Sequence, residues 1–281
     1  MTNSAVATQV IQIIGESKVD PSDVKRLTKT PDVNPELVKV YADTILWSHK
    51  LLRSLPLASQ ATSAEKQKVM AAVFMARVIE AVESSFLLAS RGACVDTAAM
   101  VRVFLDAYFV LANFCSSEDF IDKYINTDAI ERQKLMNAAS KHESVKFQEI
   151  NNYATPFVKS ELKTKIETDK ILAFNSFEYA QSVGCSDIYD SMYRIYSTAV
   201  HSSPRILDNL VKFDNQGRIT HIFLRSESEA TNRLLEELHC FFCDALKRVC
   251  VLFNKDTADV QKFESRRTSA VSNVRSPKVG N

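Results

Sequence analysis

Glycine is the scarce residue of this chain, 5 in 281, beside only 7 prolines. Ordinary usage of about 7% Gly and 5% Pro would supply roughly twenty and roughly fourteen. The glycines stand at 15, 92, 184, 217 and 280, no two closer than 33 positions. A P-loop or a dinucleotide fingerprint needs several glycines within one turn, so that backbone N–H groups can approach a phosphate, and this spacing excludes both. Sandwiches, barrels and propellers turn on frequent glycine and are disfavoured for the same reason. What remains is an all-α chain of long helices.

Hydrophobic residues make up 46% and charged residues 25% of the chain, which suits a globular core. Lys+Arg at 35 against Asp+Glu at 34 gives a net charge of +1, so any grip on nucleic acid must be local. The N-terminus lacks the basic start and apolar run of a signal peptide. The two most apolar stretches, 69–90 and 98–115, carry Arg77, Glu80, Glu83, Arg102 and Asp106. Charges at that density suit core helices better than membrane spans, and the expectation is a cytoplasmic protein with no membrane association. The cysteines (94, 115, 185, 240, 243 and 250) lie mostly in apolar helical patterns and read as reduced, buried thiols.

Along the chain, residues 1–34 read as an N-terminal segment that ends in turn chemistry. Residues 35–255 form a single multi-helix domain, and 256–281 a basic tail expected to be disordered. Asn34-Pro35 is a helix start, Ser63 caps a long helix, and Gly92 stops it. The principal helices fall at 63–91, 96–115, 186–201 and 226–253, with polar helices between them over 117–126, 128–151 and 156–170. A turn signal at 213–218 followed by alternating β-branched residues predicts one small β-hairpin near 211–224.

The stretch Tyr193-Arg194-Ile195-Tyr196-Ser197-Thr198-Ala199-Val200-His201 carries the strongest chemical signal. Arg194 and His201 are seven apart and share a helix face about 10.5 Å along the axis, with Ser197 between them. A guanidinium grips phosphate through paired hydrogen bonds, and an imidazole moves protons near neutral pH. The plainer reading pairs Arg194 with Asp190 and leaves His201 as a helix-end residue. Arg102 and Asp106 are i, i+4 in an otherwise apolar helix, with Asn113 two turns on. Either they fix helix packing, or Arg102 joins a phosphate pocket and Asp106 orients His201. Arg77 and Glu80 pose the same question with the structural answer favoured. His239, Cys243 and Cys250 share a helix face, but zinc needs a fourth ligand and apolar neighbours favour buried thiols, so no metal site is expected. Tyr193 and Tyr196 can stack bases or simply pack.

The Arg-x6-His element at a helix end resembles the signature of the HEPN superfamily, Arg, four to six residues, then His. Three blocks, Ala76 to Glu80, Ala98 to Ala107, and Tyr193 to His201 with Ser202-Ser203, resemble an uncharacterised bacterial all-helical family, a domain of unknown function. That family shows Arg-x-x-x-Glu where this chain has Arg102 and Asp106. The resemblance implies a HEPN-like bundle core and a metal-independent endoribonuclease leaving 2′,3′-cyclic phosphate ends, with no cofactor. His201 and Arg194 are then catalytic, supported by Arg102, Asp106, Ser197 and Tyr193. It further implies RNA as substrate, a homodimer, an antitoxin or other protein partner, and a role as toxin or phage-defence effector. The competing expectation is a non-catalytic helical protein that binds a partner or nucleic acid through the same groove.

Overall fold

The computed structural model describes residues 33–57, 62–142, 144–201, 211–222 and 228–275. Helix α1 (Pro35–Arg53) starts where the Asn34 side chain accepts from the backbone N–H groups of Glu36 and Leu37, with proline in the first turn. Helix α2 (Ser63–Ser90) is capped one residue earlier than the sequence suggested. Thr62 accepts from the Glu65 N–H while the Glu65 carboxylate accepts from the Thr62 N–H, a reciprocal capping box. Gly92 ends α2 at φ 72°, with its N–H on the Ala89 carbonyl and the Ala93 N–H on that of Leu88. This cap needs a left-handed residue, which glycine supplies without a Cβ clash.

Helix α3 (Cys94–Ser116) is the centre of the fold, and every residue from Ala107 to Phe114 is buried. Helix α2 packs along it, and later helices cover its other sides. Among the described residues it alone is long and apolar enough to cross a membrane, and 67% of its most apolar window is buried inside the fold. The polar segments form a side lobe of α4 (Phe120–Ala139), a short 3₁₀ turn (Val145–Phe147) running into α5 (Gln148–Tyr153), and α6 (Pro156–Thr168). Here the expected break near 127 is absent and α4 runs through it, stopping at Ser140 instead of continuing to 151. Phe120 and Tyr124 pin the lobe to the core by edge contacts to Phe114 and Phe74 at 4.9 and 5.4 Å.

Helix α7 (Ser176–Ser182), absent from the expected elements, is built on a second capping box, Asn175 with Glu178. The next helix is continuous over 186–200: a turn (Ser186–Ile188), a π segment (Tyr189–Tyr193) and helix α8 (Arg194–Val200). Strands β1 (Val211–Phe213) and β2 (Ile219–Ile222) then pair antiparallel, Val211 opposite Ile222 and Lys212 opposite His221. Residues 223 and 224 lie outside the described set. Helix α9 (Ser228–Leu252) lays Leu235, Leu238, Phe242 and Leu246 against the core.

The expected boundary at 255 is corrected. Residues 258–275 form helix α10 (Ala258–Arg275), which packs on α1 and α9 through Val260, Phe263 and Ala270. The Trp47 indole meets the Phe263 ring edge-on at 5.9 Å and donates to Asp259 Oδ2 at 3.2 Å. Asn34 Nδ2 reaches the Ala270 carbonyl at 2.9 Å. Only a few apolar residues, diluted among basic and hydroxyl side chains, carry this docking, so hydrophobic periodicity alone reads the segment as polar tail. Residues 276–281 and 1–32, with the expectations made for them, lie outside the described residues.

Candidate functional site

The site is built where α3, α7 and the 186–200 helix meet. From α3, Arg102 donates through Nε to Ser197 Oγ at 3.0 Å, pairs through Nη1 with Asp106 Oδ2, and lays its guanidinium 3.5 Å from the centroid of the Tyr193 ring. Asp106 Oδ1 accepts from Ser176 Oγ at 2.6 Å and from the Tyr193 hydroxyl at 3.1 Å. Ser197 Oγ in turn donates to the Tyr193 carbonyl at 2.8 Å, so its single proton is spent and its lone pair faces Arg102. Burial lowers the Arg102 pKa and raises that of the Tyr193 phenol. A guanidinium stays charged in such surroundings, and here it faces a carboxylate and an aromatic face that offset its desolvation.

Four sequence-chosen residues, Arg102, Asp106, Ser197 and Tyr193, therefore converge. Their network also contains Ser176, which the sequence reading missed; the Asn175/Glu178 capping signature was the signal that would have placed it at a helix start. No described hydrogen bond joins Asp106 to His201. The Asp106 carboxylate holds Arg102, Ser176 and Tyr193, and its place is in the framework rather than behind the histidine.

Arg194 and His201 sit on the neighbouring edge of α8. The π segment ends at Tyr193, so ordinary helical periodicity applies from Arg194 onward, and seven residues bring His201 back to within about 20° of Arg194. The Arg194 side chain is 66% exposed and its Nε lies 3.1 Å from Asp190 Oδ1. Its guanidinium is 5.7 Å from the centroid of Tyr189, whose ring stacks on Tyr193 at 4.4 Å. His201 is exposed at the C-terminal cap, its backbone N–H on the Ser197 carbonyl at 3.2 Å. The inner face of the helix is thus pinned by Arg102, and its outer edge carries one cation and one imidazole to solvent.

The other candidates resolve into structure. Arg77 and Glu80 form an exposed surface pair. Asn113 donates to the carbonyls of Phe109 and Tyr179 and accepts from Ser182 Oγ, which ties α7 to α3. Tyr193 and Tyr196 are both buried, at 6% and 8% exposure, and present no free ring for stacking. His239 lies 3.0 Å from Thr44 Oγ1 and 3.5 Å from Cys243 Sγ. The Thr44 hydroxyl already donates to the Val40 carbonyl, so His239 Nε2 carries the proton and Nδ1 accepts from the thiol. Among the described residues no three His, Cys, Asp or Glu side chains are grouped to hold a metal ion.

A second polar cluster, also unforeseen, joins α3 to α9. Tyr108 Oη and Arg248 Nε both donate to Asp244 Oδ2 at 2.6 Å, with Cys185 Sγ 3.9 Å from the phenol. Burial pushes the thiol of Cys115 up to about 12 and raises that of Cys185, so neither has the thiolate character of a nucleophile.

No curated protein and no solved structure matches the chain. One family model does, over residues 68–218, a span that holds α3, the side lobe, the Arg102 network and the Arg194/His201 edge. By that match, which covers more than half of its length, the chain belongs to the family of unknown function DUF5677.

Proposed function

We propose that this protein is a HEPN-like, metal-independent endoribonuclease whose working groups are Arg194 and His201. The observation that carries the reading is the solvent-facing pair itself: a guanidinium and an imidazole on one edge of a short helix that Arg102 locks from beside them through Ser197 and Tyr193. The imidazole takes the proton of an RNA 2′-hydroxyl as the 2′-oxygen forms a bond to phosphorus, and the P–O5′ bond breaks. Arg194 exchanges Asp190 for the phosphate and neutralises charge gathering on its oxygens. The departing 5′-oxygen needs a proton as well, and a homodimer supplies a second histidine for it. Arg102, Asp106, Tyr193 and Ser197 hold the helix still and do not touch substrate. In the cell such an enzyme acts in the cytoplasm as a toxin or phage-defence effector restrained by a protein partner.

The test is cleavage of single-stranded RNA in excess EDTA. Wild type is expected to leave 2′,3′-cyclic phosphate ends, with His201→Ala reducing the rate by about 10²- to 10⁴-fold and Arg194→Ala by about 10²-fold. If no RNA is cut, and growth inhibition on expression is absent or survives His201→Ala, the nuclease reading fails. RNA retention without turnover then favours a binding protein.

A further inference from the structure

On the far side of the 186–200 helix from Arg194 lies a half-open cavity of about 510 Å³, bounded by α3, this helix and the start of α9. That volume is within the range of about 300–1,000 Å³ typical of small-molecule sites. Its walls are apolar, formed by Val95, Ala98, Met192, Ile195 and Leu234. Polar chemistry gathers in one corner, where Glu237 accepts from the Tyr196 hydroxyl through Oε2 and from Arg233 Nε through Oε1, the latter at 3.1 Å. Both carboxylate oxygens are therefore engaged. The Ser191 hydroxyl at the edge is likewise spent as a donor, on the Asp187 carbonyl at 2.6 Å.

Arg233 is different. A guanidinium has five N–H donors, and among the described residues only Nε–H has a partner. Its side chain is 78% exposed, so the terminal nitrogens are within reach of a ligand at the mouth. Among the described residues the corner thus offers the terminal guanidinium donors of Arg233, beyond its Nε pair with Glu237, beside an apolar chamber. That combination complements a carboxylate attached to a hydrocarbon body.

We propose that this cavity binds a small amphipathic organic carboxylate, its apolar body between α3, the 186–200 helix and α9 and its head on the terminal nitrogens of Arg233. The ligand lies against the helix that carries Arg194 and His201, and its binding does not depend on RNA chemistry there. Charge selects the head group, and chain length selects the fit.

The experiment is calorimetric titration of the full chain with hexanoate, octanoate and decanoate, with octan-1-ol and octylamine as neutral and cationic controls. One carboxylate per chain is expected to bind, tightening about three- to fourfold for each added methylene. Octanol and octylamine are expected to bind at least tenfold more weakly than octanoate. Arg233→Gln should weaken octanoate about tenfold or more, since a charge-assisted pair is lost. Ala230→Trp, at an exposed lining position, should block entry. Thermal unfolding confirms that both variants fold; should one fail, the other variant and the head-group series still decide. The proposal is overturned if no carboxylate binds at millimolar concentration, if the three head groups bind alike, or if both folded variants bind octanoate as wild type does.

Discussion

Arg102 shows what a single charged side chain can organise when its surroundings are apolar. Three different parts of one guanidinium meet Ser197, Asp106 and the face of Tyr193, so a residue on α3 fixes both the position and the rotation of a helix 95 positions away. That role was legible in the sequence because an i, i+4 ion pair in a run of Val, Phe, Leu and Ala demands partners. Which partners was not legible, since Ser176 and Ser197 are ordinary hydroxyl residues until the fold brings them within reach. His239 makes the complementary case. Burial, with the positive charges of Arg267 and Arg266, lowers its pKa to about 3, and Tyr41 and Cys243 beside it are neutral. Its value in the unfolded chain is near 6.5, so between the two the unfolded state binds a proton that the native state refuses. Stability from this group is therefore complete above about pH 6.5 and drains as pH falls toward 3. Urea unfolding between pH 6 and 4 is expected to show wild type losing about 1 kcal/mol per pH unit more than His239→Gln. Equal slopes would mean that the native imidazole accepts the proton.

At the scale of elements, the helix ends were the easiest features to read and the weakly apolar helices the hardest. Asn34, Gly92 and the long apolar runs announce α1, α2 and α3 because capping and periodicity act locally. Gly184 ends α7 as Gly92 ends α2, at φ 73° with the Cys185 N–H on the Ala180 carbonyl. Helix α9 closes in the same way on Asn254 at φ 52°, a position that a glycine search does not find. The π segment at 189–193 has no sequence signature here, yet it leaves Tyr189 and Tyr193 stacked beneath the Arg194 edge. Helix α10 was missed because its contribution comes from a few contacts rather than from a stripe. Those contacts are strong enough to test. Phe263→Ala should cost about 3 kcal/mol in urea unfolding, as for other buried aromatic truncations. Arg266→Ala removes only a half-exposed pair with Asp43 and should cost about 0.5 kcal/mol or less. A negligible effect of Phe263→Ala would show that α10 does not complete the core.

Across the whole molecule, stability is concentrated around α3 and thins outward. The family span ends at residue 218, yet α1, α9 and α10 supply Leu37, Tyr41, Leu235, Leu238, Phe242 and Val260 to the same core. The proposed chemistry therefore rests on a core that helices outside the family span help to build. The side lobe stands apart from this arrangement. Helices α5 and α6 bury none of their own residues, while Tyr153 and Phe157 are 56% and 69% exposed. The polar composition of 117–170 already pointed to a cover rather than a core, and the structure adds that it is anchored mainly at Phe120 and Tyr124. Segments with few buried contacts open without global unfolding. Amide exchange should accordingly find α6 opening at a free energy at least about 3 kcal/mol below that of residues 104–114 in α3. Added urea should lower the protection of α3 in step with global unfolding and leave that of α6 nearly flat, because a local opening exposes little new surface. Equal protection with equal urea slopes in the two helices would make the lobe part of the cooperative core, and the placement of stability argued from burial would be wrong.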